Sequence, residues 1–175
     1  MRLVLGLGGN LGDLPANFAR AAIFLTSELR VLARSGIWRS APLGPAQPDY
    51  FNAALLVESD AHPLAVLALA QRCEANAGRD RAHEERWGPR PLDIDLLVAP
   101  GLVVESPLLT LPHPRLSERR FALAPAAELA PEWLHPRHWR TLAELAAAPE
   151  VLGQRCERSG PFPPVPEAVK TTAEC

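Results

Sequence analysis

A chain of 175 residues with 22% charged residues and a formal net charge of −2 is long enough for one domain whose core needs no disulfide or metal staple. The balanced charge removes any general electrostatic case for nucleic acid, and the opening run Met1-Arg2-Leu3-Val4-Leu5 is too short for a signal peptide or a membrane span. Cys73, Cys156 and Cys175 are widely spaced, with neither zinc-type pairing nor a C-x-x-C, which points to reduced thiols. The expected state is a cytoplasmic monomer with no nucleic-acid or membrane partner.

Residues 3–7 read as a buried strand ending in the turn Gly8-Gly9-Asn10-Leu11-Gly12-Asp13. G-x-G-x-x-G would need glycine at position 11, where Leu11 stands, so the turn is not a dinucleotide fingerprint. A helix follows: Asp13 can cap it, Pro15 suits its first turn, and Phe18, Ala21, Ala22, Leu25 and Leu29 repeat along one apolar face. Residues 31–40 and 50–57 read as the second and third strands. The stretch 41–49 between them carries three prolines and a glycine and is a stiff, shaped loop.

His62-Pro63 opens a second helix running to about Asn76, with Gly78 as its stop. A polar loop over 79–91 leads to a strand over 92–98. Beyond it come a short Val103-Val104 segment, the Pro112-His113-Pro114 turn, and helices over about 118–129 and 141–148. The order β-α-β-β-α-β predicts an α+β fold, ferredoxin-like, with an antiparallel sheet, two covering helices and additional C-terminal helices. Residues 1–152 are expected to form one domain and 153–175 a proline-containing, poorly ordered tail.

The strand over 92–98 carries the chemistry. Alternation turns Leu92, Ile94 and Leu96 toward a core and puts Asp93 and Asp95 together on the other face, about 7 Å apart at the α-carbons. Two carboxylates so placed can grip a pair of divalent cations roughly 3.5–4 Å apart. Aspartate is a poor strand former, so the pair needs compensating cations. Arg79, Arg81, Arg86 and Arg90, taken alone, are an ordinary loop largely neutralised by Asp80, Glu84 and Glu85. Next to two aspartates they become candidates for clamping a phosphoryl group. Lys170 is the only lysine, so no G-x-x-x-x-G-K-[ST] phosphate loop exists. Glu74 is by default a surface acid, and Tyr50, Trp38, Trp87 and Phe121 are by default core residues, with Tyr50 beside the proline loop the one best placed for a ligand.

Four blocks together make the chain resemble the 6-hydroxymethyl-7,8-dihydropterin pyrophosphokinases, also called 2-amino-4-hydroxy-6-hydroxymethyldihydropteridine diphosphokinases. They are Leu7-Gly8-Gly9-Asn10-Leu11-Gly12-Asp13; Ser40-Ala41-Pro42-Leu43-Gly44 with Gln47-Pro48-Asp49-Tyr50-Phe51-Asn52; Glu85-Arg86-Trp87-Gly88-Pro89-Arg90 with Leu92-Asp93-Ile94-Asp95; and Pro112-His113-Pro114-Arg115 with Glu118-Arg119-Arg120-Phe121. The resemblance implies transfer of the terminal diphosphate of ATP to a pterin alcohol in folate biosynthesis, with AMP released. It implies that Asp93 and Asp95 hold two Mg²⁺ with the ATP, and that Arg79 and Arg90 act on the transferring diphosphate. Ser40, Leu43, Tyr50, Asn52 and Phe121 would bind the pterin; Glu74, Arg81, Trp87, Arg90, Ile94, His113 and Arg119 would bind ATP. No residue is an obvious general base. Gly9 departs from the family, in which serine is usual at that position. A Mg²⁺-dependent phosphohydrolase and a ferredoxin-like RNA-binding module are the competing readings.

Overall fold

The computed structural model describes residues 1–42, 44, 46–81, 83 and 88–165. The expected core order is present. Strand β1 (Arg2–Gly9) leads into helix α1 (Leu14–Leu25), where the Asp13 side chain accepts the Ala16 N–H at the N-terminus. The expected second strand is divided into β2 (Arg30–Arg34) and β3 (Ile37–Ser40), both lying along β4 (Tyr50–Glu58). The break falls at Ser35-Gly36, where the Ser35 hydroxyl accepts the Ala54 N–H at 2.8 Å in place of a backbone carbonyl. Helix α2 (Pro63–Asn76) is capped by the His62 ring and ends before Gly78, whose φ of +88° suits glycine.

Strand β5 (Asp93–Val98) returns beside β1, and every pairing in the main sheet is antiparallel, in the order β5-β1-β4 with β2 and β3 sharing the far side of β4. A hairpin of β6 (Val104–Glu105) and β7 (Thr110–Leu111), a short 3-10 turn (Leu116–Glu118), α3 (Arg120–Leu129), α4 (Leu142–Ala146) and α5 (Pro149–Leu152) follow. A capping box between Thr141 and Glu144 starts α4.

One expectation is corrected here. The residues after Gly153 do not begin a loose tail: β8 (Cys156–Gly160) pairs with β3, and Phe162 beyond it stacks on Phe18 with ring centroids 6.5 Å apart. The edge of β3 needed a hydrogen-bonding partner, and the polar run Cys156-Glu157-Arg158-Ser159-Gly160 supplies one without the apolar alternation that marks a buried strand. Residues 166–175 of the expected tail lie outside the described residues.

The two sheet faces bury different cores. Leu3, Leu5, Leu7, Leu55, Val57, Ile94 and Leu96 pack with Phe18, Leu25 and Leu69 beneath α1 and α2. Val4, Ala54, Leu97 and Val98 pack with Leu123, Ala126, Leu142 and Leu145 beneath α3 and α4. This second layer covers only part of its face and leaves Asp93, Gly6, Gly8 and Asn52 open. No helix among the described residues is long and apolar enough to cross a membrane.

Candidate active site

The open part of that face is a cavity of about 320 Å³. Its floor is made by three strands. Gly6 and Gly8 of β1 stand opposite Asp95 and Asp93 of β5, and Gly8 also stands opposite Asn52 of β4. Two glycines on the same face leave a trench where side chains would otherwise meet: a Cβ on Gly6 would lie 3.0 Å from Leu97 Cδ1, and one on Gly8 3.4 Å from Asn52 Oδ1. Asn52 and Asp93 are two strands apart, roughly 10 Å at ~4.8 Å per strand. The sheet itself therefore separates an amide-bearing half-site from a carboxylate-bearing one.

In the first half, the Asn52 amide donates to the Ser40 hydroxyl at 2.9 Å, and Tyr50, Ala41 and Phe121 line the wall. The Tyr50 hydroxyl donates to the Gly88 carbonyl at 2.9 Å, which ties this wall to the arginine loop. The Arg119 guanidinium lies 5.5 Å from the centre of the Phe121 ring.

The second half is charged. Asp93 accepts from Arg79 and, at 3.2 Å, from Arg90. Arg79 reaches back to Glu74, whose carboxylate also accepts from Arg81 and takes the Ile94 N–H at 2.7 Å. Burial pushes Glu74 upward against the pull of these partners. Asp95 is pushed up to about 7, first by burial and then by the charges of Asp93 and Glu74. His113 is pushed down to about 4 by burial and by Arg119 and Arg115, so it is neutral at physiological pH. Its Nδ1 accepts the Arg115 N–H at 3.2 Å, which leaves the proton of the neutral ring on Nε2. The Arg90 Nε is buried and has no hydrogen-bond partner among the described residues. An unsatisfied guanidinium donor at the wall of a cavity is a place for an anionic oxygen.

The donor set suits Mg²⁺. This ion favours oxygen and is usually held by one or two carboxylates together with substrate phosphates, not by an all-protein cage. Asp93 and Asp95 supply such a pair, and no cluster of three or more His, Cys, Asp or Glu exists among the described residues. Asp95, raised first by burial and then by Asp93 and Glu74, gains most from a cation beside it, while Asp93 already lies against Arg79 and Arg90.

Of the residues expected at a site, Ser40, Tyr50, Asn52, Arg79, Arg81, Arg90, Asp93, Asp95, His113, Arg119 and Phe121 line this one cavity. Two further residues expected to bind ATP do not line it. Ile94 is 2% exposed and packs under the opposite face of the sheet, as the alternation that exposes Asp93 and Asp95 requires, so it offers the site only its backbone. Glu74 is neither a surface acid nor a cavity wall; it is 1% exposed and lies behind Arg79 and Arg81. Leu43 and Trp87 lie outside the described residues. Arg115, Gly6 and Gly8 were missed as cavity residues. The position of Arg115 directly after Pro112-His113-Pro114 could have indicated it, whereas the glycines read only as a tight turn.

A family model described as 7,8-dihydro-6-hydroxymethylpterin-pyrophosphokinase matches residues 4–131. Among similar proteins, a 2-amino-4-hydroxy-6-hydroxymethyldihydropteridine pyrophosphokinase of Methylorubrum extorquens is 43% identical over 134 residues, covering 75% of this chain and 84% of that one. One of Synechocystis sp. is 39% identical over 144 residues, covering 81% and 73%. One of Pseudomonas aeruginosa is 38% identical over 151 residues, covering 84% and 91%. A wild-type Plasmodium falciparum HPPK-DHPS crystal structure superposes with a TM-score of 0.62 at 12% identity, covering 83% of this chain and 43% of that longer one, and bears on the fold alone.

Proposed function

The chain belongs to the 7,8-dihydro-6-hydroxymethylpterin pyrophosphokinase family, and on that premise we propose that it transfers the terminal diphosphate of ATP to the hydroxymethyl oxygen of 6-hydroxymethyl-7,8-dihydropterin in folate biosynthesis, releasing AMP. The observation that carries the reading is the pairing of two half-sites in one cavity. Asn52 with Ser40 and an aromatic wall lies across the glycine trench from Asp93, Asp95 and a group of arginines.

In this reading Asp93 and Asp95 hold two Mg²⁺ with the ATP. The ions supply neutralisation of charge on the phosphates. Arg79 and Arg90 lie against Asp93 and are therefore next to the transferring group, where guanidinium charge offsets the negative charge that builds in the transition state. The unsatisfied Arg90 Nε is a donor for one of its oxygens. Neutral His113 donates from Nε2 to the nucleotide, and Arg81 and Arg119 hold its phosphates. On the other side Asn52 and Ser40 read the polar edge of the pterin, with Tyr50 and Phe121 against its ring faces. The glycine trench lets the hydroxymethyl oxygen approach the β-phosphorus; as the new P–O bond forms, the bond from that phosphorus to the oxygen retained by AMP breaks and the hydroxyl proton passes to solvent. Positioning and charge carry the rate in this scheme, since no side chain is assigned as a base.

In this reading the enzyme acts as a monomer. The free thiols of Cys73 and Cys156 are buried, consistent with the cytoplasm. The test is to incubate the protein with ATP, Mg²⁺ and the hydroxymethyl dihydropterin and identify the nucleotide product. AMP formed only when pterin is present is the expected result; ADP, or release without pterin, would overturn it and favour a phosphohydrolase.

A further inference from the structure

Asn10 is 6% exposed, and its side-chain amide holds two loops that belong to different halves of the cavity. Its Oδ1 accepts the Arg90 N–H at 2.9 Å, while its Nδ2 donates to Gln47 Oε1 at 2.9 Å and to the Pro48 carbonyl at 3.1 Å. The orientation of the amide is fixed by these partners. A backbone N–H only donates and a carbonyl only accepts, so nitrogen and oxygen cannot be exchanged. The Asn10 backbone N–H adds a bond to the Arg90 carbonyl at 2.9 Å, which also accepts the Leu11 N–H at 3.2 Å, so Asn10 holds both backbone polar groups of Arg90.

We propose that Asn10 is a positioning residue that couples the two half-sites, passing the set of the proline loop beside Tyr50 and Asn52 to the backbone of Arg90. The inference rests on the functional reading above. Asn10 sits in the turn after β1 and lines neither half of the cavity itself, so its effect on substrates runs through Gln47, Pro48 and Arg90. A shared amide makes the two loops settle together: ordering of Arg90 on the nucleotide favours the proline-loop position that receives the pterin, and the reverse holds equally.

Two substitutions separate the halves of this connection. Asn10→Ala removes all three side-chain bonds. Asn10→Asp keeps the acceptor for Arg90 but sets a second acceptor against the Pro48 carbonyl, which cannot donate, and forces the Gln47 amide to turn over, and so disturbs only the pterin-loop side. The experiment measures, by calorimetry on the full chain, the affinity for a nonreactive ATP analogue with Mg²⁺, and then the affinity for hydroxymethyl dihydropterin with the analogue saturating. Both variants are expected to bind the analogue within about twofold of wild type and to lose roughly five- to tenfold in pterin affinity, the size of one or two net hydrogen bonds. Asn10→Asp alone suffices for the comparison if Asn10→Ala does not fold. Unchanged pterin affinity, or an equal loss for both ligands, overturns the inference. Absence of pterin binding by the wild-type protein overturns the functional reading and this inference with it.

Discussion

The Arg79 guanidinium lies 2.8 Å from the Glu74 carboxylate, and both side chains are almost removed from solvent, 5% and 1% exposed. Glu74 also takes the N–H of Ile94, the residue between the two aspartates, so one buried carboxylate fixes a phosphate-side arginine and the metal-side strand against each other. Removing the charge of one partner leaves the other uncompensated, which costs far more than the pair itself contributes. Glu74→Gln is therefore expected to destabilise the fold by roughly 2–4 kcal/mol and to lower kcat/KM for ATP at least tenfold, read by urea unfolding and steady-state kinetics. An unchanged unfolding midpoint would show that the pair is not structural.

Asp95→Asn is expected to abolish most turnover while the metal-free fold gains stability. The folded-state value of Asp95, about 7, lies above its ordinary value of 3.8. The folded protein thus holds a proton that the unfolded chain has released, and the stability Asp95 contributes at low pH is lost as pH rises through about 7. In metal-free buffer the difference between variant and wild-type unfolding free energies should grow by roughly 1–3 kcal/mol between pH 4 and 7, in favour of the variant. A difference independent of pH would show that Asp95 is not held in this state.

Gly9→Ser tests a close approach. A Cβ at Gly9 would lie 2.7 Å from the Pro91 carbonyl oxygen, a backbone atom with little room to retreat. Serine is expected to cost roughly 1–3 kcal/mol here and to disturb the turn that carries Asn10. Thermal unfolding checks it; an equal Tm would mean that the strand after Arg90 moves freely.

His135 supplies a second pH dependence, away from the cavity. Burial, then His138 and Arg137, pushes it down to about 4, and its Nδ1 accepts the Arg137 N–H at 3.3 Å. The unfolded chain takes up its proton first on acidification, so the stability it contributes is complete above about 6.5 and is lost as pH falls toward 4. His135→Asn retains an acceptor and does not titrate. Wild type should lose on the order of 2 kcal/mol relative to it between pH 7 and 4.5, measured by urea titration. Parallel pH profiles would place His135 in a solvated state.

Much of the site was legible in the sequence because strand alternation is a local rule. The run Leu92-Asp93-Ile94-Asp95-Leu96 assigns its own faces, and the cavity indeed receives both aspartates while Ile94 and Leu96 enter the core. The same rule turns the Ile94 side chain into the core beneath α1 and α2. Asp13, Pro63 and Gly78 likewise marked helix ends by backbone chemistry that needs no distant partner. Strand β8 was not legible, because an edge strand of exposed polar residues has no periodic signal and exists through its pairing with β3.

By itself the sequence determined the order of the core elements, the shared face of Asp93 and Asp95, and the grouping of arginines near them in the chain, since each follows from spacing or local backbone preference. Tertiary structure decided what those charges do. Glu74 is buried because the 79–81 turn folds back over the end of α2, Gly6 and Gly8 become a trench only beside Asn52 and Asp93, and Asn10 joins loops 37 and 80 residues distant in the chain. Such long-range relations depend on which strands lie next to each other, and hydrophobic burial on both sides of the sheet fixes that order.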